Sequence, residues 1–290
     1  MKITKFLKKK PFIIAGPCSA ESESQVLAIA NQTKDYTNLF RAGLWKPRTS
    51  PNSFEGVGNR GLKWLQKVRE KTGLKVATEV ATAKHVEYCL KAEIDMLWIG
   101  ARTTVNPFYI QEIAEALKGV DIPVLVKNPV HPEIGLWVGA LERLNKVGIT
   151  KLAAIHRGFH SYKKSVYRND PKWDMPIKLR ERLIDMPIIC DPSHIAGKSE
   201  LIEDIAQTAM DINLDGLMIE THLEPKKALI GGKDGLKFYR LFAKKLERIM
   251  KKNSFFICEI GYNQLIQCKK IFKKTNLKLV KVSKDLQKID

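Results

Sequence analysis

The chain has 290 residues, 44% of them hydrophobic and 28% charged, which is ample for one large core. It holds no run of about eighteen apolar residues, which excludes a helical membrane span. Its start, Met1 to Lys10, lacks the apolar stretch and cleavage site of a secretory signal, so a cytoplasmic protein with no membrane partner is expected. The formal charge of +19 raises a polyanion such as nucleic acid, but the lysines are scattered over helix faces, without aromatic interleaving or a nucleic-acid motif. A solvated lysine-rich surface, and no nucleic-acid partner, is the expectation.

Phe12 to Ile14 opens an apolar run that Gly16-Pro17 stops, delivering Cys18. Seven further short apolar runs follow, at 39–45, 75–80, 96–101, 123–127, 151–157, 187–190 and 216–220. Amphipathic stretches lie between most of them. Glu21 to Lys34 opens on Ser22 and Gln25 in capping-box spacing. Gly58 to Thr72 carries Leu62, Leu65 and Val68 and stops at Gly73. Asn106-Pro107 sets an N-cap and an N1 proline before Ile110, Ile113, Ala114 and Leu117. Pro132 to Val147 and Ser199 to Ile212 follow the same logic.

Eight strands alternating with helices predict a parallel sheet covered on both faces, and eight is the number that closes a (β/α)8 TIM barrel. An open doubly wound sheet is the alternative. Against it, no Gly-x-Gly-x-x-Gly follows the first strand, and Gly231-Gly232 comes too late and is too short for a dinucleotide loop. The barrel is expected over residues 1–252. Beyond it, 253–290 reads as a small β-α-β extension with a basic helix near Asn263 to Lys274.

In such a barrel the strand carboxyl ends converge on one face, where active sites lie. They would bring together Cys18, Arg41, Lys46, Arg48, Glu79, Arg102, Lys127 and Arg157. Asp191 to His194 follow, then Glu220 with His222. Six cations on one rim repel one another and call for a small polyanionic ligand carrying phosphate and carboxylate groups. Cys18, His194 and Glu220 offer sulfur, nitrogen and oxygen from separate strands, a donor set suited to a divalent manganese, iron, cobalt or zinc ion. Each has a plainer reading by itself: cysteine as a small buried hydrophobe, histidine as a core or surface residue, arginine as half of a salt bridge. Five widely spaced cysteines, with no Cys-x-x-Cys pair, suit a reducing compartment rather than a disulfide framework.

Eight segments carry a more specific resemblance. They are Ala15 to Ser19, Arg41-Ala42-Gly43, Lys46-Pro47-Arg48-Thr49, Gly100 to Thr104, Val126-Lys127-Asn128, His156-Arg157-Gly158, Asp191 to His194 and Ile219 to His222. In this order they resemble 3-deoxy-D-arabino-heptulosonate 7-phosphate synthases, most closely the short type I form found fused to chorismate mutase. The likeness spans about Pro11 to Lys251.

The resemblance implies a transferase of the shikimate pathway. It would condense phosphoenolpyruvate with erythrose 4-phosphate and water, using a divalent metal, manganese being favoured. It implies that Arg102, Lys127 and Arg157 hold the phosphoenolpyruvate phosphate and that Arg41 and Lys46 serve its carboxylate. Arg48 and Thr49, beside Pro47, would grip the aldehyde's phosphate, with Glu79 as a nearby acid. Lys46, Lys127 and Glu79 are the implied catalytic residues, and Cys18, His194 and Glu220 the metal ligands. The family's fourth ligand, an aspartate, would fall at Gly231, and Asp234 three residues on is the candidate to replace it. A homo-oligomer is implied as well. The related 3-deoxy-D-manno-octulosonate 8-phosphate synthases are the enzymatic alternative, and Lys46-Pro47-Arg48-Thr49 favours the heptulosonate reaction over theirs. A non-catalytic barrel with a degraded metal site is the third reading.

Overall fold

A computed structural model of the chain describes residues 1–7, 10–46, 54–162, 165–223, 265–273, 275 and 280. The chain divides into two compact units, Met1–Glu224 and Pro225–Asp290. In the first, eight parallel strands pair in sequence order: β1 (Phe12–Gly16), β2 (Leu39–Arg41), β3 (Lys75–Val80), β4 (Met96–Ile99), β5 (Val124–Lys127), β6 (Leu152–His156), β7 (Ile188–Cys190) and β8 (Gly216–Glu220). β8 then pairs with β1, from Phe12 opposite Gly216 to Gly16 opposite Glu220, and closes the barrel. The (β/α)8 expectation holds, and the open sheet does not.

The outer ring comprises α1 (Glu23–Thr33), α2 (Arg60–Thr72), α3 (Ala83–Lys91), α4 (Ala101–Thr104), α5 (Pro107–Ala116), α6 (Ile134–Lys146), α7 (Asp174–Arg182), α8 (Pro192–Ala196) and α9 (Ile202–Asp211). The predicted caps form. Ser22 Oγ accepts from the Gln25 amide at 3.1 Å, and Gln25 Oε1 accepts from Glu21 at 2.9 Å. Asn106 Oδ1 accepts from the Phe108 amide at 2.9 Å, and Gly73 ends α2 in the left-handed region. In the second unit, α10 (Leu265–Phe272) lies within the predicted basic helix. The strands expected on either side of it, and the expected boundary at 252, fall outside the described residues.

Two apolar layers follow from the strand period of two. Phe40, Val76, Leu97, Val124, Leu152 and Ile188 face outward and pack under the helices. Ile14, Leu39, Ala77, Met96, Trp98, Leu125, Ala153, Ile155, Ile189 and Met218 fill the barrel interior. Each fully buried Val, Leu or Ile side chain contributes about 1.5–3 kcal/mol of transfer free energy. Phe6, Leu7 and Phe12, each partly buried, pack against this inner layer.

The same alternation decides what faces the upper mouth. Two residues past Leu39 is Arg41, and two past Ala77 is Glu79. Two past Leu125 is Lys127, past Ile155 Arg157, past Ile189 Asp191 and past Met218 Glu220. On six of the eight strands the polar rim is the apolar interior continued by one more inward position; on β1 and β4 that position is Gly16 and Gly100.

Candidate active site

Gly16 turns the end of β1 toward β2. It has φ +150°, and a Cβ there would lie 1.9 Å from the Arg41 carbonyl oxygen, so only glycine fits. The chain then brings Cys18 against two cations. Lys46 Nζ donates to the Cys18 carbonyl and lies 3.2 Å from its sulfur, and Arg41 Nη2 donates to the same carbonyl at 3.2 Å.

Across the mouth, Asp191 caps α8 by accepting from the His194 amide at 3.1 Å. Its other oxygen, Oδ2, stands 2.8 Å from His194 Nδ1 and accepts from Lys127 Nζ at 2.8 Å. His194 Nε2 then faces Glu220 Oε1 at 3.4 Å. The Glu220 amide donates to Ser193 Oγ at 3.0 Å, which ties β8 to α8.

Cys18 Sγ, a His194 ring nitrogen and a Glu220 carboxylate oxygen all lie within 4.8 Å of one another, the one group of three potential ligands among the described residues. Glu220 Oε1 is buried without a hydrogen-bond partner among those residues. A carboxylate set behind a metal-ligating histidine fixes ring orientation and raises basicity, and Asp191 stands in that position behind His194. Thiolate, imidazole and carboxylate on three separate elements fit a divalent first-row ion.

The electrostatics favour the thiolate and carboxylate forms of Cys18, Glu220 and Asp191, while His194, held as the imidazolium, would give up its proton to bind a metal. Burial raises the Cys18 thiol and Glu220 adds to that, but the contact with His194 and the Lys46 and Arg41 cations outweigh both and lower it. Burial would raise Asp191, yet His194, Lys127 and Arg41 hold it well below the ordinary carboxylate range. Glu220 is lowered against its burial by His194 and Arg41, and His194 is raised against its burial by Asp191 and Cys18.

The other cations complete the rim. Arg41 is 1% exposed and its Nε and Nη1 make no hydrogen bond among the described residues, with Glu220 3.8 Å from Nη1. Arg157 donates to Asn169 Oδ1 at 2.8 Å. Burial first, then the Arg168 and Arg102 cations, push its guanidinium down to about 10, against the pull of Asp191 and Glu79. Arg102 sits exposed on the short α4, just past β4. Glu79 accepts from the Trp98 indole at 2.9 Å.

Of the predicted site residues, Cys18, Arg41, Lys46, Glu79, Arg102, Lys127, Arg157, His194 and Glu220 thus lie at the strand carboxyl ends or just beyond them. Pro47, Arg48, Thr49 and Asp234 lie outside the described residues. Lys127 is engaged by Asp191, which the sequence placed at the mouth, in the segment Asp191 to His194, without assigning it a role. Asn169 was missed. Its Oδ1 holds Arg157, and its amide donates to the His194 carbonyl at 2.6 Å. Nothing in its sequence surroundings announces that bridge.

Comparisons with known proteins agree with this geometry. Residues 3–254 match the DAHP synthetase I family. A phospho-2-dehydro-3-deoxyheptonate aldolase of Thermotoga maritima is 34% identical over 245 residues, covering 83% of this chain and 69% of that protein. A 2-dehydro-3-deoxyphosphooctonate aldolase of Campylobacter jejuni is 29% identical over 267 residues, covering 80% and 93%. The crystal structure of the Thermotoga maritima aldolase (DAHP synthase) superposes with a TM-score of 0.69 at 27% identity, over 83% of this chain and 69% of that one. A truncated form of the 3-deoxy-D-arabino-heptulosonate 7-phosphate synthase from the same organism superposes with a TM-score of 0.66 at 28% identity, over 81% and 86%. With a family match over residues 3–254 and a relative 34% identical over 83% of its length, the chain belongs to the DAHP synthetase I family.

Proposed function

We propose that this protein condenses phosphoenolpyruvate with D-erythrose 4-phosphate and water to give 3-deoxy-D-arabino-heptulosonate 7-phosphate and phosphate. The observation that carries this reading is the Cys18, His194 and Glu220 donor set facing buried Arg41, with Lys46 and Arg157 alongside, at one mouth of the barrel. The reaction requires a carbon–carbon bond between two phosphorylated anions, which repel each other in water.

In this reading Arg102, Lys127 and Arg157 hold the phosphoenolpyruvate phosphate, and Arg41 and Lys46 hold its carboxylate. Lys127 can turn from Asp191 toward the phosphate while remaining near its buried counter-charge. Arg48 and Thr49, next to Pro47, take the aldehyde's phosphate. With both anions neutralised and oriented, the methylene carbon of phosphoenolpyruvate bonds to the aldehyde carbon, and the aldehyde oxygen takes a proton, with Glu79 as the nearby acid. Water adds to the carbon bearing the phosphate, and the bond from that carbon to the phosphate oxygen breaks. Positioning and charge neutralisation supply most of the rate in such a step.

A divalent ion held by Cys18, His194 and Glu220, manganese by preference, with iron, cobalt or zinc as substitutes, would supply Lewis acidity toward the aldehyde carbonyl. Asp234 is the proposed fourth ligand. The protein is proposed to work in the cytoplasm as a homo-oligomer.

The octulosonate reaction is the second reading, favoured by the 29% identity to the Campylobacter jejuni relative. The test is incubation of the purified protein with phosphoenolpyruvate and either erythrose 4-phosphate or arabinose 5-phosphate, with manganese and with a chelator. Product from erythrose 4-phosphate alone, lost with chelator, is expected. Product from arabinose 5-phosphate alone would establish the second reading, and no turnover with any metal would overturn both.

A further inference from the structure

Trp98 stands between two groups of the site and belongs to neither the substrate nor the metal set. It lies on β4 directly opposite Glu79 of β3 and is completely buried in the barrel interior. Its indole N–H donates to Glu79 Oε2 at 2.9 Å, and its ring lies under the Arg41 guanidinium, with Cζ 5.0 Å from the ring centroid. Gly100 presses on the same carboxylate from the other side: a Cβ at that position would come within 2.2 Å of Glu79 Oε1. One carboxylate is thus wedged between an indole donor and a bare backbone.

We propose that Trp98 is a positioning residue that sets Glu79 and Arg41 together, by its N–H on one and its ring face on the other. The proposal rests on the synthase reading above. Physically the two contacts are separable. An indole N–H buried with its acceptor has no alternative partner, so it holds the carboxylate in one orientation. The ring quadrupole attracts a guanidinium without consuming any of its N–H donors. Arg41 is therefore held in place while its buried Nε and Nη1 make no hydrogen bond among the described residues, with Glu220 Oε1 3.8 Å from Nη1.

The separation gives the test. Trp98→Phe keeps the ring face and removes the donor, and Trp98→Leu removes both. For Trp98→Phe, kcat is expected to fall on the order of tenfold or more, with KM for phosphoenolpyruvate changed by less than about twofold. For Trp98→Leu, KM should rise as well. Independently of turnover, the Trp98 indole resonance of 15N-labelled protein can be assigned by its loss in Trp98→Phe. In a Glu79→Gln variant that resonance alone among the five tryptophans should move. A resonance unmoved by Glu79→Gln, or a Trp98→Phe variant with kcat within about twofold of the parent, would overturn the proposal. A parent protein without turnover would overturn the synthase reading instead, and the resonance would then decide by itself whether Trp98 holds Glu79.

Discussion

Asn169 joins the two halves of the site with one side chain. Its oxygen accepts from Arg157 at 2.8 Å and its amide donates to the His194 carbonyl at 2.6 Å. The backbone around it is clipped to α8 as well, with the Asn169 amide 3.2 Å from the Ile195 carbonyl oxygen. A hydrogen bond to a charged donor contributes about 1.5–3 kcal/mol, so Asn169→Ala should raise KM for phosphoenolpyruvate roughly tenfold or more. Asn169→Asp, which keeps the acceptor for Arg157, should recover part of that loss. Steady-state kinetics with erythrose 4-phosphate in excess checks both. Asp191 works at the same scale. A buried carboxylate shared by Lys127 and His194 is costly to desolvate and is retained because two cations face it.

Among the elements, β6 carries opposite chemistries on its two faces. Arg157, just past its end, faces the mouth, while His156 points outward and packs near Trp137, Trp173 and Phe159. Burial first, with the Arg157 cation assisting, pushes the His156 imidazole down to about 3; the Pro171 backbone works the other way, and neither ring nitrogen makes a well-formed hydrogen bond. The unfolded chain takes up a proton at His156 near pH 6.5, and the folded chain does not until about pH 3. Stability is therefore highest above pH 6.5 and falls as pH drops through that window, by roughly 1.4 kcal/mol per unit from this group. His156→Leu removes the proton uptake. Urea unfolding at pH 7 and pH 5 should show the parent losing about 2 kcal/mol more than the variant over that interval. Equal losses would show that burial of this ring is not what makes the barrel acid-sensitive.

For the whole molecule, the relevant quantity is net charge: of the +19 over the chain, the barrel unit Met1–Glu224 carries +6, with 32 Lys and Arg against 26 Asp and Glu, and its mouth should receive two anions. Scattered lysines do little for the fold, but their summed field raises the local concentration of anionic substrates and is screened over about 10 Å at 0.1 M salt. kcat/KM for phosphoenolpyruvate should fall several-fold between roughly 20 and roughly 500 mM neutral salt, with kcat nearly unchanged, in a salt series at fixed metal. A flat kcat/KM would leave the lysines as solvation alone.

The legible parts of the sequence were those that depend on neighbours along the chain. All eight strands lie within the expected apolar runs, and the Ser22 and Asn106 caps form where their spacing placed them. Helices as short as α4 and α8 were not legible, because one turn carries too little periodicity to register. Trp98 falls in the apolar run 96–101 and is fully buried. That its N–H meets Glu79 depends on the β3–β4 register, which no local pattern encodes.

The sequence by itself therefore determined the alternation of strands and helices, their number and the residue types at each strand end, since propensity, capping and period act over a few residues. Tertiary closure decided the rest. The β1–β8 register, Gly16 opposite Glu220, brings Cys18 to Glu220 and His194. The inward phase of each strand decides that Arg41, Glu79 and Lys127 share one mouth while His156 is turned away. These are contacts between residues tens to hundreds of positions apart, and only a closed ring of hydrogen bonds fixes their distances.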